Sequence, residues 1–229
     1  MNAQGEIYSW GKGDRGQLGH ERVEFESYTA MPIQRAVEMD QMKPTYHALG
    51  KISQVSAGMI HSAALENETN HMYIWGKNTI PVQPNSEAGK IASDARLPVR
   101  LRGLPDLEIL RIACGSHHTS VLMEDGSVWA VGVTSDTKKP LHDPVCLIEA
   151  GIIDVSTLSQ FAAHMDRTTV VFGGGRQVLQ VHLWDEIENR EEAIFTPAWV
   201  DELLDSDANL RIREVHRSWL HTVIVTERD

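Results

Sequence analysis

Apolar residues along this chain fall in short runs separated by polar or glycine-containing stretches. The runs are rich in valine, isoleucine and aromatic residues, a composition that favours β-strands. Residues 121–123 and 128–130 are two such runs, and Asp125-Gly126 between them is a strong signal for a hairpin. The pattern therefore predicts many short strands linked by turns.

One segment has the chemistry of a helix instead. Thr196 is a good N-cap, Pro197 suits the first turn, and acidic residues follow. Trp199 and Leu203 are one turn apart and would share a face. We expect a short connector helix that covers a sheet edge, with docking of a basic partner as the functional alternative.

Two sequence elements repeat along the chain. The first is an apolar strand, a turn and a histidine that opens a second strand; its copies are residues 55–65, 112–122 and 215–225, with a weaker copy at 155–165. The second is an apolar strand that ends in glycine; its copies are residues 8–11, 73–76, 129–132 and 170–173. Such self-similarity is the strongest indication of architecture that a sequence offers.

The repeating unit has the composition of a β-propeller blade. Each unit combines two hairpin strands, a third strand ending in glycine, and a loop that leads to a proline-containing stretch. One blade cannot bury both of its faces, so neighbouring units must stack. We expect one domain, 1–229, whose units are 211–229 plus 1–51, 52–109, 110–151 and 152–210.

The two ends of the chain complement each other. The last copy of the first element stops near Thr226, where the other copies turn into their third strand, and the chain opens with that third strand. We expect one blade to be shared, with Val223 and Ile7 in the same sheet, because shared blades remove exposed edges. The alternative is an incomplete arc that needs a partner.

The segments HSAAL, HHTSVL, IYSWG, MYIWG and GKGDRGQLGH together resemble the regulator of chromosome condensation repeat. The resemblance covers nearly the whole chain, although residues 152–210 are degenerate. It implies an all-β propeller, and that family usually forms seven-bladed rings. Four units are fewer than usual, so the expectation is a propeller of about four blades, or an incomplete arc of a seven-bladed one.

The composition limits the kinds of partner and compartment that suit this chain. The chain has 41% hydrophobic residues and no apolar run long enough to cross a membrane. Its 21 basic and 32 acidic residues give a net charge of −11, which disfavours binding to a nucleic-acid backbone. Two cysteines, Cys114 and Cys146, and an opening segment without an apolar leader favour a reducing compartment, the cytoplasm or the nucleus.

Much of the negative charge lies in one segment. Between Asp185 and Glu214 ten acidic residues accompany three arginines. Such a run is usually a solvated surface, but it also predicts a rim that docks a basic partner. Within it we single out Glu191 and Glu192.

The repeated polar and glycine positions are best explained by architecture. The histidines His61, His118 and His221 occupy the same place in their units, where a structural bond to a neighbouring turn is the simplest role. The repeated glycines answer backbone needs near a crowded ring centre; they are Gly11, Gly58, Gly76, Gly115 and Gly132. No nucleophile, metal or nucleotide signature is present, so we expect neither an enzyme nor a cofactor or metal.

The tryptophans fall into two groups. Trp10 and Trp75 share a repeat position, and with Trp129 they are expected in the blade core. Trp219 lies in the turn before the repeat histidine, next to Arg217, and an exposed Trp–Arg pair is typical of an interface anchor. The partner-binding hypothesis therefore names Arg217 and Trp219, together with the acidic pair and Trp199.

Two functions follow from this sequence. The first is a non-enzymatic protein–protein interaction scaffold, because a propeller presents loops on a rigid frame. The second, implied by the family resemblance, is guanine-nucleotide exchange on a small GTPase. In the family a protruding hairpin helps displace the nucleotide, and no convincing insertion of that kind is visible here. We expect the partner to be another protein, either a small GTPase or a protein with a basic surface.

Overall fold

The structure, a computed structural model, describes most of the first two thirds of the chain and parts of the rest. The described residues are 1–21, 26–40, 43–77, 94–133, 140–151, 160–163, 169–174, 177–182, 194–195, 198–217 and 222–228.

The described elements are strands with one helix. In chain order they are β1 (Ile7–Lys12), β2 (Glu26–Ile33), β3 (Arg35–Asp40), β4 (Lys43–Ala48), β5 (Ile52–Ala57), β6 (His61–Glu66), β7 (Met72–Gly76), β8 (Ala95–Arg100), β9 (Ile109–Cys114), β10 (His118–Met123), β11 (Val128–Val133), β12 (Pro140–Ile148), β13 (Gln160–Ala163), β14 (Thr169–Gly174), β15 (Gln177–His182), β16 (Ile194–Phe195), α1 (Ala198–Ser206), β17 (Leu210–Arg217) and β18 (Thr222–Arg228).

The sheet β9–β12 shows the complete repeat unit. Its four antiparallel strands follow one another in chain order. Strands β10 and β11 form the predicted hairpin, in which Val121 lies opposite Trp129. Gly126 supplies the left-handed turn residue with φ +82°, and its N–H donates to the Met123 carbonyl. Local turn chemistry therefore set this register, as the sequence predicted.

The sheet that contains β5–β8 has the same core with two more strands. Strands β3 and β4 form a hairpin, and β3 joins β8 in a parallel pairing at Val37 and Val99. Arg100 and Arg102 both donate to Glu38 Oε1 at 2.8 Å, which ties the hairpin to the sheet. These contacts lower the pKa of Glu38, chiefly through the bond from Arg102. The sequence analysis did not predict this hairpin.

The five sheets of the described chain pack in sequence order. They are β1–β2, the six-stranded sheet β3–β8, β9–β12, β13–β16 and β17–β18. Strand β9 contacts β5 and β6 on one side and β13 on the other, and β17 contacts β13 and β14. The fold is thus nearly all-β, and its succession of sheets is that of a partial propeller, which confirms the expected fold class.

The predicted pairing of the last strand with the first is wrong. Ile7 pairs with Ile33 in β1–β2, and Val223 pairs with His216 in β17–β18. Among the described residues no register joins β18 to β1. Strand β17 packs against β13 and β14 instead, which leaves this hairpin as a separate two-stranded sheet at the last position of the series. The alternative prediction, an incomplete arc, matches this arrangement.

Alternation along the strands buries both faces of the central sheet. Ala63 and Ile74 face β9–β12, where they meet Val121. Their chain neighbours Ala64 and Trp75 face β1–β2 instead. A period of two therefore places successive side chains in two separate cores.

The predicted connector helix is present as α1. Val200 and Leu204 are its buried residues, and they pack with Leu210 and Ile212 of β17. Leu203, for which the sequence analysis predicted only a shared face with Trp199, is 37% exposed. The side chain of Trp199 lies outside the description. No described helix is long and apolar enough to cross a membrane.

Candidate protein-binding groove

The loop that follows β1 fastens the first sheet to the second. The Gln17 carbonyl accepts hydrogen bonds from Trp75 Nε1 at 2.9 Å and from Ser62 Oγ at 3.0 Å. Gly19, with φ +76°, lies so close that a Cβ there would be 3.0 Å from Trp75 Nε1. The GDRGQLG segment is therefore a cover for the tryptophan of the next unit.

The same loop is held to its own strand. Ser9 Oγ donates to the Leu18 carbonyl at 2.5 Å and lies 2.7 Å from His20 Nε2. Gln17 Nε2 donates to Asp14 Oδ1 at 3.3 Å. These bonds hold the loop against the strand from which it comes, so the cover is part of the first sheet.

Two repeat glycines stand where strands press together. A Cβ on Gly76 would lie 2.6 Å from His61 Cα, and a Cβ on Gly132 would lie 2.7 Å from His118 Cα. Both glycines also have positive φ, at +110° and +129°. Any side chain would collide with the backbone of the repeat histidine, which gives a physical reason for glycine in the third strand.

The histidine His61 links two sheets. Its Nε2 lies 2.9 Å from Thr119 Oγ1 of β10, and the ring is buried. Burial lowers the pKa of His61 to about 4, assisted by the charge of His117 and opposed by bonds to the backbone of His118 and Ser116. A buried neutral ring that bridges neighbouring units suits an architectural role.

The thiol nearest to this link is also buried. Cys114 Sγ lies 3.6 Å from Thr119 Oγ1, and its backbone N–H donates to Ser56 Oγ at 2.8 Å. Burial raises the pKa of the Cys114 thiol to about 11, which leaves almost no thiolate near neutral pH. Within the described ranges, no three histidine, cysteine or acidic side chains form a group that could hold a metal ion.

An open groove of about 810 Å³ runs beside β1. Its apolar lining includes Trp10 at 65% exposure, Met59 at 53% and Val55 at 49%. Met1 and Tyr8 line the same groove and are also exposed. Large apolar side chains that are gathered in one exposed concavity are typical of a binding site.

The exposure of Trp10 corrects the prediction that it lies in the blade core. Trp75, at the same repeat position, is 3% exposed because the loop of the preceding sheet covers it. Among the described residues no sheet precedes β1, so the equivalent cover over Trp10 is missing. Trp129, one register off, packs against the core as a partly buried residue.

Gly11 has a positive φ like Gly76 and Gly132, but no described backbone lies close to it as it does at those two glycines. Its φ is +101°, yet a Cβ there would meet nothing within 4 Å. At Gly76 and Gly132 the same space holds the strand that begins with the repeat histidine. The groove is thus open where complete sheets have their second strand.

Charged side chains mark one end of the groove. Arg15 lies 3.7 Å from Asp94 and 4.0 Å from Asp14, and Lys12 is 4.0 Å from Asp14. All four groups are partly exposed, so these pairs are weak individually. They give the groove a polar rim around an apolar centre, which is the usual anatomy of a protein interface.

The sequence-predicted partner residues lie mostly outside the description, so their grouping stays a prediction. Arg217 is the last residue of β17, and Trp199 lies in α1, but neither side chain is described. Trp219, Glu191 and Glu192 lie outside the described residues, as does His221. Gly58 and Gly115 do approach each other, since a Cβ on Gly58 would lie 2.3 Å from the Gly115 carbonyl oxygen.

The sequence analysis missed the groove, although one signal was available. A third strand stands at residues 8–11 with no second strand before it. That order predicts an open strand edge unless another segment fills it.

Repeated four-stranded sheets, stacked in chain order and clasped by a loop from one unit to the next, define a repeat protein of the propeller class. Residues 4–65 match the Regulator of chromosome condensation (RCC1) repeat. The chain therefore contains an RCC1 repeat in this segment, in agreement with the resemblance in its sequence.

Relatives in sequence cover little more than half of the chain. Protein pim1 of Schizosaccharomyces pombe is 31% identical over 140 residues, which are 58% of this chain and 22% of pim1. Guanine nucleotide exchange factor SRM1 of Saccharomyces cerevisiae is 27% identical over 133 residues, which are 58% of this chain and 25% of SRM1. The chain thus spans about a quarter of the length of these two relatives.

Solved structures share the fold along nearly the whole chain. Human WBSCR16 superposes with a TM-score of 0.63 at 18% identity, over 97% of this chain and 55% of that one. Prp20p from Saccharomyces cerevisiae, a structure described with its binding properties to Gsp1p and histones, gives 0.61 at 16% identity, over 97% and 52%. At these identities the likeness concerns the fold.

Proposed function

We propose that this chain is a non-enzymatic protein-interaction module whose docking surface is the groove beside β1. The observation that carries the proposal is the set of exposed apolar side chains in one concavity, of which Trp10 is the largest and the most exposed. A Trp on a rigid strand, surrounded by aliphatic residues and a charged rim, is typical of an interface anchor.

The chemistry of the described residues supports a binding role over a catalytic one. The most strongly perturbed groups are His61, Cys114 and Tyr73, and burial is the main cause at each. Burial holds His61 and Cys114 in their uncharged forms near neutral pH, where neither charge nor thiolate is available for a reaction. The relative Prp20p is described as binding Gsp1p and histones, which supports protein partners for this fold.

A matched pair of variants tests the groove. Trp10→Ala removes the anchor, whereas Tyr28→Ala removes an aromatic side chain that is 86% exposed on β2 and does not line the groove. Proteins captured by the tagged full chain are quantified for each variant. The proposal expects Trp10→Ala to lose specific partners that Tyr28→Ala retains; equal capture by both variants overturns it.

Guanine-nucleotide exchange on a small GTPase is the second candidate. The likeness to Guanine nucleotide exchange factor SRM1 favours it, although the chain spans only 25% of that protein. The hairpin β3–β4 is an insertion, but Glu38 and the β3–β8 pairing hold it to the sheet. Release of fluorescent guanine nucleotide from loaded small GTPases is the test: catalytic acceleration by the chain would favour exchange over a pure scaffold.

A further inference from the structure

Complementary halves of one sheet stand at the two ends of the described arc. By sequence, β17 and β18 correspond to the first two strands of a complete sheet, and β1 and β2 to the last two. In the described chain β18 pairs only with β17, and β1 only with β2. Each half therefore has a strand edge whose N–H and C=O groups can pair with another strand.

We infer that β17–β18 of a second copy of this chain occupies the groove, with its β18 paired against β1. The inference rests on the proposed function, because it names the partner of the same groove. Two copies that exchange hairpins in this way form a closed pair with the same junction twice.

The register of the junction follows from the complete sheets. Two residues after the repeat histidine, Ala63 pairs with Ile74 and Ser120 pairs with Ala130. In both sheets, therefore, the residue two positions after the repeat histidine pairs with the residue two positions before the repeat glycine. At the chain ends the equivalent residues are Val223 and Ser9. Val223 is 48% exposed, as expected of a side chain on a sheet face that no further described sheet covers.

The groove has the shape that this hairpin requires. In the complete sheets the space beside the repeat glycine holds the second strand, and that space beside Gly11 is open. The first strand of each sheet also packs on the first strand before it: Gln54 Nε2 of β5 donates to the Leu110 carbonyl of β9 at 2.8 Å. On the opposite face of β5, Val55 lines the groove and is exposed where an incoming β17 would pack.

A second copy satisfies these requirements better than the chain's own hairpin. The chain's own β17 is packed against β13 and β14, at the far end of the series of sheets. The whole chain overlies only 55% and 52% of the propeller chains it superposes on, so two arcs amount to about one ring. Head-to-tail pairing of two arcs therefore places each hairpin at the other copy's groove.

Self-association of the full chain is the first test. Light scattering across a dilution series is expected to give twice the chain mass at high concentration. Trp10→Ala removes an anchor worth about 30-fold at each of the two junctions, so it is expected to weaken the dimer by about 1,000-fold, while Tyr28→Ala leaves it unchanged. A wild-type chain that stays monomeric throughout, or a dimer indifferent to Trp10→Ala, overturns the inference.

Engineered cysteines identify the junction itself. Ser9→Cys and Val223→Cys are placed on separate, differently tagged copies and mixed under mild oxidation. Paired residues of neighbouring strands lie within disulfide reach, so a mixed-tag disulfide dimer is expected. Ser9→Cys with Thr226→Cys, three residues out of register, is the control and should cross-link far more slowly. Equal rates for both pairs overturn the inference.

The double variant Ser9→Cys/Val223→Cys separates the two ways of closing the ring. A covalent dimer supports exchange between copies, whereas an internal disulfide in a monomer overturns it in favour of self-closure. If Trp10→Ala abolishes capture of another protein while the chain is monomeric, this inference fails and the proposed function stands. If Trp10→Ala changes neither self-association nor capture of another protein, both this inference and the proposed function fail.

Discussion

The pH dependence of stability tests the role of His61 as a buried link between sheets. Its pKa in the folded chain is lowered to about 4, from 6.5 for an unperturbed imidazole. Between these two values the unfolded chain binds a proton that the folded chain does not. The contribution of His61 is therefore fully present above pH 6.5 and is lost as the pH falls towards 4.

The magnitude follows from the two pKa values. Integrating the difference in bound protons from pH 8 to pH 5 gives a loss of about 2 kcal/mol in the free energy of unfolding, and about 3 kcal/mol by pH 4. The ring is 5% exposed, so solvent screening does not reduce this effect appreciably.

Urea denaturation at several pH values, followed by tryptophan fluorescence, measures the effect. The comparison is with His61→Gln, which keeps an N–H near Thr119 Oγ1 but does not titrate. Subtracting the two stability curves cancels the contributions of other titrating groups. The wild-type curve is expected to fall by about 2 kcal/mol more than the variant between pH 8 and pH 5.

A difference that stays constant within about 0.3 kcal/mol over this range would refute the reasoning, since one titrating group changes stability by about 1.4 kcal/mol per pH unit. It would show that His61 is protonated as readily in the folded chain as in the unfolded one. The NMR titration of its ring protons gives an independent reading of the same pKa.

Three further predictions concern other described residues. Gly76→Ala should lower the free energy of unfolding by more than about 3 kcal/mol, because the new Cβ would strike the His61 backbone. Gly11→Ala meets no described neighbouring atom and is strained only by its positive φ, so it should cost about 1 kcal/mol. The urea midpoints of the two variants measure the difference. Cys114, with its pKa raised to about 11, should react with iodoacetamide at pH 8 far more slowly in the native chain than in urea, and mass spectrometry of the labelled peptide follows this. Glu38→Gln should lower the free energy of unfolding by about 0.5–1 kcal/mol above pH 5, because two arginines stabilise the partly exposed carboxylate. The difference in stability between wild type and variant should shrink as the pH falls below 4.5. Chemical denaturation of both proteins at pH 7 and pH 4 measures it.

The sequence predicted those parts of the fold that local chemistry decides. The Asp125-Gly126 turn fixes β10 against β11 without help from distant residues. Repetition predicted that Gly76 and Gly132 answer a backbone need, whereas their places opposite the repeat histidines came from the structure. The helix was also predictable from its cap, although its buried face was not.

The hairpin β3–β4 had no such signal. Strand β4 is an outer edge strand with most of its residues exposed and with Pro44 inside it. An edge strand needs neither alternation nor a complete set of N–H donors, so its sequence looks like a loop. What holds it, the pairing of Val37 with Val99 and the bonds of Glu38, joins residues about 60 positions apart.

At the open groove, two nearly identical local sequences give tryptophans with opposite exposure. The segments IYSWG and MYIWG carry the same tryptophan, yet Trp75 is buried under Gln17 and Gly19 while Trp10 is exposed. The difference comes from the preceding unit, which each repeat needs to complete its surface. Repeat proteins that end in solvent usually cap the last unit with polar residues. Trp10, Val55 and Met59 are apolar, so this end has the chemistry of a face that a further pair of strands covers.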